Sequence, residues 1–175
     1  MPNAFDLPAP PTIAIDGSDE RFPVGRIFCV GRNYADHARE MGSDPDREPP
    51  FFFYKFEQAL VTGGGTIRYP PETADYHHEA ELVVAIGREG AAVAPERALD
   101  LVFGYAVGLD MTRRDLQARA KAKGRPWDTA KNFAFSAPAG SLRRVADGSH
   151  VAAGEIALTV NGEVRQRGDI SDMIW

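Results

Sequence analysis

Tyr76–Gly87 reads YHHEAELVVAIG and Tyr105–Asp110 reads YAVGLD. In an extended strand alternate side chains share a face, so Glu79 and Glu81 project to the same side. Two carboxylates on one strand face repel, at a cost in stability unless a cation, a shared proton or a basic partner lies between them. Val83–Ile86 is expected to be a buried strand with the acidic pair at its start. Phe103–Leu109 is expected as a second apolar strand, whose small Gly104, Ala106 and Gly108 suit close packing against a neighbour. Asp110 ends that strand, so three carboxylates can converge.

Toward the N-terminus, Ile27–Val30 is a short apolar strand broken by Gly31, and Phe51–Tyr54 starts another that ends near Lys55. Between them NYADHAREMG, 33–42, has Tyr34, Ala38 and Met41 at helical spacing and Gly42 as a stop, placing His37 and Glu40 three apart on one face. Gly63–Gly65 is a turn without the strand–glycine–helix context of a phosphate cradle. Pro70-Pro71 is expected to close a further short strand. Residues 1–20, rich in proline and polar residues, read as an extended arm.

Toward the C-terminus, MTRRDLQARAKAKG, 111–124, predicts a partly exposed helix ending at Gly124. Lys131 lies between Trp127 and Phe133. ALTVNGEVRQ, 157–166, predicts a hairpin with Asn161-Gly162 as a type I′ turn.

At 175 residues one domain with a substantial core is expected. A net charge of −5 with basic and acidic residues interleaved argues against a nucleic-acid footprint. The single cysteine, Cys29, excludes an internal disulfide, fits a reducing cytoplasm, and is expected in the core rather than as a nucleophile. The first residues lack the pattern of a signal peptide, and no stretch approaches the ~20 apolar residues of a membrane helix. A soluble, cytoplasmic protein with neither a nucleic acid nor a membrane as partner is expected.

Three carboxylates without thiolate form a hard donor set suited to Mg²⁺ or Mn²⁺. Glu-x-Glu alone equally describes a solvated strand end. His37 with Glu40 one turn away has the chemistry of a general base and its orienter, and also that of an ordinary surface pair. Lys131 has flanks that could bury it over an anion, although most lysines reach water. Gln117 is by itself a surface glutamine.

Taken together, five segments resemble the fumarylacetoacetate hydrolase family. They are CVGRNYADHAREMG at 29–42, HHEAELVVAIG at 77–87, GLDMTRRDLQ at 108–117, KGRPWDTAKNF at 123–133 and VNGEVRQ at 160–166. They stand in the family's order and cover roughly residues 21–175. The resemblance implies an α+β fold, a mixed β-sheet roll, with residues 1–20 as an N-terminal arm and 21–175 as the catalytic domain. It implies Glu79, Glu81 and Asp110 as ligands of Mg²⁺ or Mn²⁺, and His37 with Glu40 as the water-activating dyad. Lys131 and Gln117 would stabilise developing negative charge.

The implied reaction is hydrolysis of a carbon–carbon bond in an acylpyruvate, a small anionic 2-oxo acid. ERFPVGRIFCVGRNY and DPDREPPFFF point within the family to fumarylpyruvate, cleaved to fumarate and pyruvate in gentisate-type aromatic catabolism by a homodimer. Oxaloacetate decarboxylation and a non-catalytic module binding metal and 2-oxo acid are the alternatives. Arg32, Arg113 and Arg114 are candidates for a distal carboxylate, with Arg114–Asp115 as a structural pair the stronger reading for Arg114. Two departures stand out. Lys55 is followed by Phe56 where family members usually have proline. The resemblance also implies a helix and strands beyond Trp175, so the fold is expected to be incomplete at the C-terminus and this form unstable or inactive.

Overall fold

A computed structural model describes residues 3–6, 8–34, 49–145 and 149–175. Residues 35–42 of the expected helix, His37 and Glu40 among them, lie outside the described residues.

The centre is an antiparallel pair, β7 (Ala80–Ile86) and β8 (Val102–Leu109), registered from Ala80 opposite Leu109 to Ala85 opposite Gly104. The other edge of β8 carries β10 (Ala137–Ala139) and β11 (Arg143–Arg144), both antiparallel, and β10 continues in parallel to β5 (Leu60–Thr62). The result is the mixed sheet expected, with few helices. Its small residues are there for clearance. A Cβ on Gly104 would collide with the backbone of Arg143, and one on Gly108 would lie 2.7 Å from Val83 Cγ2. Gly104→Ala is expected to destabilise the protein by about 2 kcal/mol, read as a fall of roughly 4–8 °C in thermal midpoint. An unchanged midpoint would show that β11 yields freely.

Odd-numbered residues of β7 and even-numbered residues of β8 face the core, so Ala85 and Ala106 are buried with Ile13, Ile15, Val24 and Leu142. The expected buried run Val83–Ile86 is therefore buried on one face only, and Val84 and Ile86 point outward with Val107. Within the stretch read as an arm, β1 (Thr12–Ala14) pairs with β2 (Arg21–Pro23), and Ile15 bridges to Leu142. Ile13 and Ile15, two apart, are thus core residues.

β3 (Ile27–Gly31) and β4 (Phe51–Lys55) form a separate ribbon, with Cys29 opposite Phe53 and Ile27 opposite Lys55. No strand lies between Gly65 and Pro70-Pro71; the strand in that region is β5, ahead of the glycines. Gly63, Gly64 and Gly65 all take positive φ, as a loop of this composition allows.

The β7–β8 ladder resumes in the same register as β6 (Tyr76–His77) paired with β9 (Thr112–Arg113). Helix α1 (Arg114–Ala122) follows, with Gly124 at φ +57° beyond its end, and a single turn, α2, spans Asp128–Lys131. Among the described residues no helix is long and apolar enough to cross a membrane.

The expected hairpin is β12 (Glu155–Val160) and β13 (Glu163–Asp169), with Asn161 and Gly162 at φ 53° and 84°, as a type I′ turn requires. Beyond it Met173 bridges to Tyr34. The Asn33 amide accepts from Trp175 N–H at 2.8 Å and donates to its carbonyl at 3.3 Å.

Candidate active site

The site forms where the long ladder is interrupted. Between β6–β9 and β7–β8 the strands are joined by Asp110 N–H donating to Glu79 O at 2.8 Å, which sets these residues opposite each other. Directly opposed residues of an antiparallel pair share a face, so Glu79, Glu81, Asp110 and Thr112 all project to the core side. Gly108 is the residue opposite Glu81 in the ladder.

Lys131 closes the cluster from α2. Its side chain crosses under Phe53, with Nζ 5.1 Å from the ring centroid, and donates to Glu79 Oε2 and Asp110 Oδ2, each at 2.6 Å, and to Thr112 Oγ1 at 2.8 Å. At 2% exposure this lysine is buried over anions and does not reach water. Lys55, equally enclosed at 4%, pairs with Asp110 Oδ1 at 2.8 Å and donates to the carbonyl oxygens of Met111 and Lys131. Arg114 holds the other side of Glu79, with Nη2 2.5 Å from Oε1, while its Nη1 donates at 2.5 Å to Gln117 Oε1.

These contacts set the charges. Burial alone would raise the Glu79 carboxyl, but Lys131 and then Arg114 outweigh it and hold it down at about 2. Burial pushes Asp110 up against the opposing pull of Lys131 and Lys55, and pushes Lys55 down against the pull of Asp110. Glu81 differs. Burial first, then the charges of Glu79 and Asp110, push its carboxyl up to about 8. Cys29, opposite Phe53, is half-buried, and burial followed by Asp110 pushes its thiol up to about 12, so it stays protonated.

The expected residues are partly assembled. Glu79, Glu81, Asp110 and Lys131 come together, and Gln117 joins them through Arg114. Gln117 is buried rather than on the surface. Arg114 does not pair with Asp115, as expected for a structural pair; Asp115 instead accepts from Thr73 Oγ1 and the N–H of Ala74 and Leu116. Arg113 stacks on Phe133 at 4.3 Å, and Arg32 lies 5.9 Å from the Trp127 centroid.

Lys55 and Thr112 were not among the sequence candidates. The available signal for Lys55 was its parity with the inward Phe53. Phe56, where proline is usual in the family, uses its N–H to donate to Asn132 Oδ1 at 2.8 Å.

Among the described residues, no three acidic, histidine or cysteine side chains close on a common point as they stand. Lys131 Nζ occupies the space between Glu79 and Asp110. The donor chemistry nevertheless fits a hard divalent ion: carboxylates share one face, an ammonium already supplies positive charge between two of them, and among the described residues no donor satisfies Glu81.

Comparison with known proteins gives the family. Residues 26–175 match the family model described as fumarylacetoacetate hydrolase, C-terminal. The chain is 46% identical over 137 residues to fumarylpyruvate hydrolase of Ralstonia sp, covering 77% of this chain and 71% of that protein. It is 39% identical over 153 residues to the mitochondrial oxaloacetate decarboxylase of Dictyostelium discoideum, covering 86% and 69% respectively. Pseudomonas aeruginosa fumarylpyruvate hydrolase, crystallised with Mn²⁺ and pyruvate, superposes with a TM-score of 0.93 at 52% identity, over 99% of this chain and 76% of that one. The chain belongs to the fumarylacetoacetate hydrolase family.

Proposed function

We propose that this chain is a divalent-metal-dependent hydrolase of acylpyruvates, cleaving fumarylpyruvate to fumarate and pyruvate in aromatic catabolism. The observation that carries this reading is Lys131, buried between the carboxylates of Glu79 and Asp110, with Glu81 on the same strand face. Glu79, Glu81 and Asp110 would hold Mg²⁺ or Mn²⁺, which supplies Lewis-acid polarisation and orientation of a 2-oxo acid. The Mn²⁺ and pyruvate bound to the Pseudomonas aeruginosa relative support this metal and substrate class.

His37, oriented by Glu40, removes a proton from water, and the oxygen attacks the carbonyl carbon distal to the pyruvate unit. Lys131 faces the developing oxyanion. Gln117 has its carbonyl engaged by Arg114, and among the described residues its amide N–H groups have no acceptor and are open to donate. Collapse transfers the bonding electrons to the pyruvate carbon, which leaves as an enolate and takes up the proton. The reading extends to a cytoplasmic homodimer, supported by the single cysteine and by the outward apolar face of Val84, Ile86 and Val107.

The second reading, oxaloacetate decarboxylation, is favoured by the likeness to the Dictyostelium discoideum protein. The two differ in whether water is activated. His37→Ala should lower fumarylpyruvate hydrolysis by about 10²-fold and spare oxaloacetate decarboxylation, measured on both substrates with Mg²⁺ and Mn²⁺. Hydrolysis insensitive to the substitution would reject the dyad. Metal and pyruvate binding without product from either substrate would leave a binding module.

A further inference from the structure

Gln166 lies on β13 opposite Leu158, in a hairpin that shares no ladder with the central sheet. Its side chain nevertheless behaves as a piece of strand. Gln166 Oε1 accepts from Ala80 N–H at 2.7 Å, and Nε2 donates to Ala80 O at 2.9 Å. Ala80 opens β7, whose other side pairs with β8, so its N–H and C=O point to the strand's free edge. An amide presents one acceptor and one donor in a plane, which matches that edge as a neighbouring peptide group would.

Ala80 is 1% exposed and stands between Glu79 and Glu81. Its N–H and C=O belong to the two peptide units that join it to those residues. Fixing both units restrains the Cα positions from which the two carboxylates project. The amide of the glutamine is spent on Ala80 rather than on either carboxylate. It acts on the peptide between them, from a segment 86 residues later in the chain.

We infer that Gln166 is a positioning residue for the Glu79/Glu81 pair, setting the spacing with which the two carboxylates meet a divalent cation. The inference rests on the metal-dependent reading of the site. Groups that orient metal ligands without touching the metal typically account for 10–100-fold in affinity. The amide of Ala80 also reports the contact before any metal is added, because its N–H is protected by Gln166.

The test uses the full chain. Mn²⁺ affinity is measured by calorimetry without substrate, and exchange of the Ala80 amide is followed by NMR in the metal-free protein. Gln166→Ala should weaken Mn²⁺ binding roughly tenfold and speed Ala80 exchange, with kcat at saturating Mn²⁺ within about threefold of wild type. Gln166→Glu keeps the acceptor for Ala80 N–H but sets a carboxylate against Ala80 O, so it should retain more amide protection than Gln166→Ala and still weaken Mn²⁺. It decides the matter alone if the alanine variant does not fold. Val164→Thr, at an exposed position of the same strand, is the control. Unchanged Mn²⁺ affinity in the Gln166 variants, or an equal loss in Val164→Thr, overturns the inference. A wild-type chain that binds no Mn²⁺ overturns the metal reading instead.

Discussion

Replacing Lys131 with methionine is expected to lower hydrolysis by about 10³-fold at saturating Mn²⁺. The same change should lower the stability of the metal-free protein by roughly 3 kcal/mol, a fall of about 6–12 °C in thermal midpoint. Methionine keeps the length and apolar stem that run under Phe53 but removes the ammonium from Glu79, Asp110 and Thr112. Among the described residues, half-buried Glu79 and buried Asp110 then keep Arg114 and Lys55 as cationic partners. A divalent ion would neutralise the same carboxylates, so Mn²⁺ should restore most of the lost stability and none of the lost rate. Calorimetric melting with and without Mn²⁺, alongside single-turnover kinetics, separates the two roles. Recovery of rate together with stability would reduce Lys131 to a structural counter-ion.

Glu81→Gln is expected to weaken Mn²⁺ binding by about 100-fold or more and to change the pH dependence of folding. The Glu81 carboxyl lies at about 8 in the folded chain against an ordinary 4.5. A group raised on folding contributes stability that is complete below the unfolded value and is lost as pH rises through the folded one. The metal-free wild type should therefore weaken between pH 5 and pH 8, by an amount of order a few kcal/mol. Glu79 has the opposite sign. Held at about 2, it contributes stability that is present above 4.5 and lost as pH falls toward 2. Together they place maximal stability of the metal-free protein near pH 5. Glutamine cannot ionise, so the variant should match wild type at pH 5 and exceed it at pH 8. Parallel melting curves across pH would refute the assignment. In wild type near pH 7, Mn²⁺ should also release close to one proton on binding, measured as a dependence of binding enthalpy on buffer.

What could be read from the chain divides by range. β7, β8, the end of α1 at Gly124 and the Asn161-Gly162 turn rest on neighbours within a few residues, where periodicity and turn chemistry act directly. Ile13 and Ile15 were hidden because prolines around them suggested an arm, although their two-residue spacing is that of a strand. Lys55 ends a run of aromatics and reads locally as a strand leaving the core. Its role depends on Asp110, which a distant ladder brings beneath it. Gln117 and Arg114 were visible as polar helix residues, but their place at the site follows from Arg114 reaching Glu79 and holding Gln117 beside it. The acidic pair was legible as a problem of charge, and the structure answers it with Lys131 for Glu79, while among the described residues no donor reaches Glu81.

Asn33 clasping Trp175 across 142 residues and Gln166 clasping Ala80 across 86 also constrain when the site can exist. During synthesis the acidic strands, α1 and Lys131 emerge well before the hairpin, and the segment leading to His37 emerges earlier still. Closing the longer loop adds less than about 0.6 kcal/mol of entropy over the shorter, since that is the cost of a full doubling. The difficulty is one of search time, because such distant pairings slow folding more than they weaken the fold. A nascent chain therefore carries Glu79, Glu81, Asp110 and Lys131 long before Gln166 can fix the peptide units of Ala80, and the arrival of that hairpin times the setting of the acidic strand.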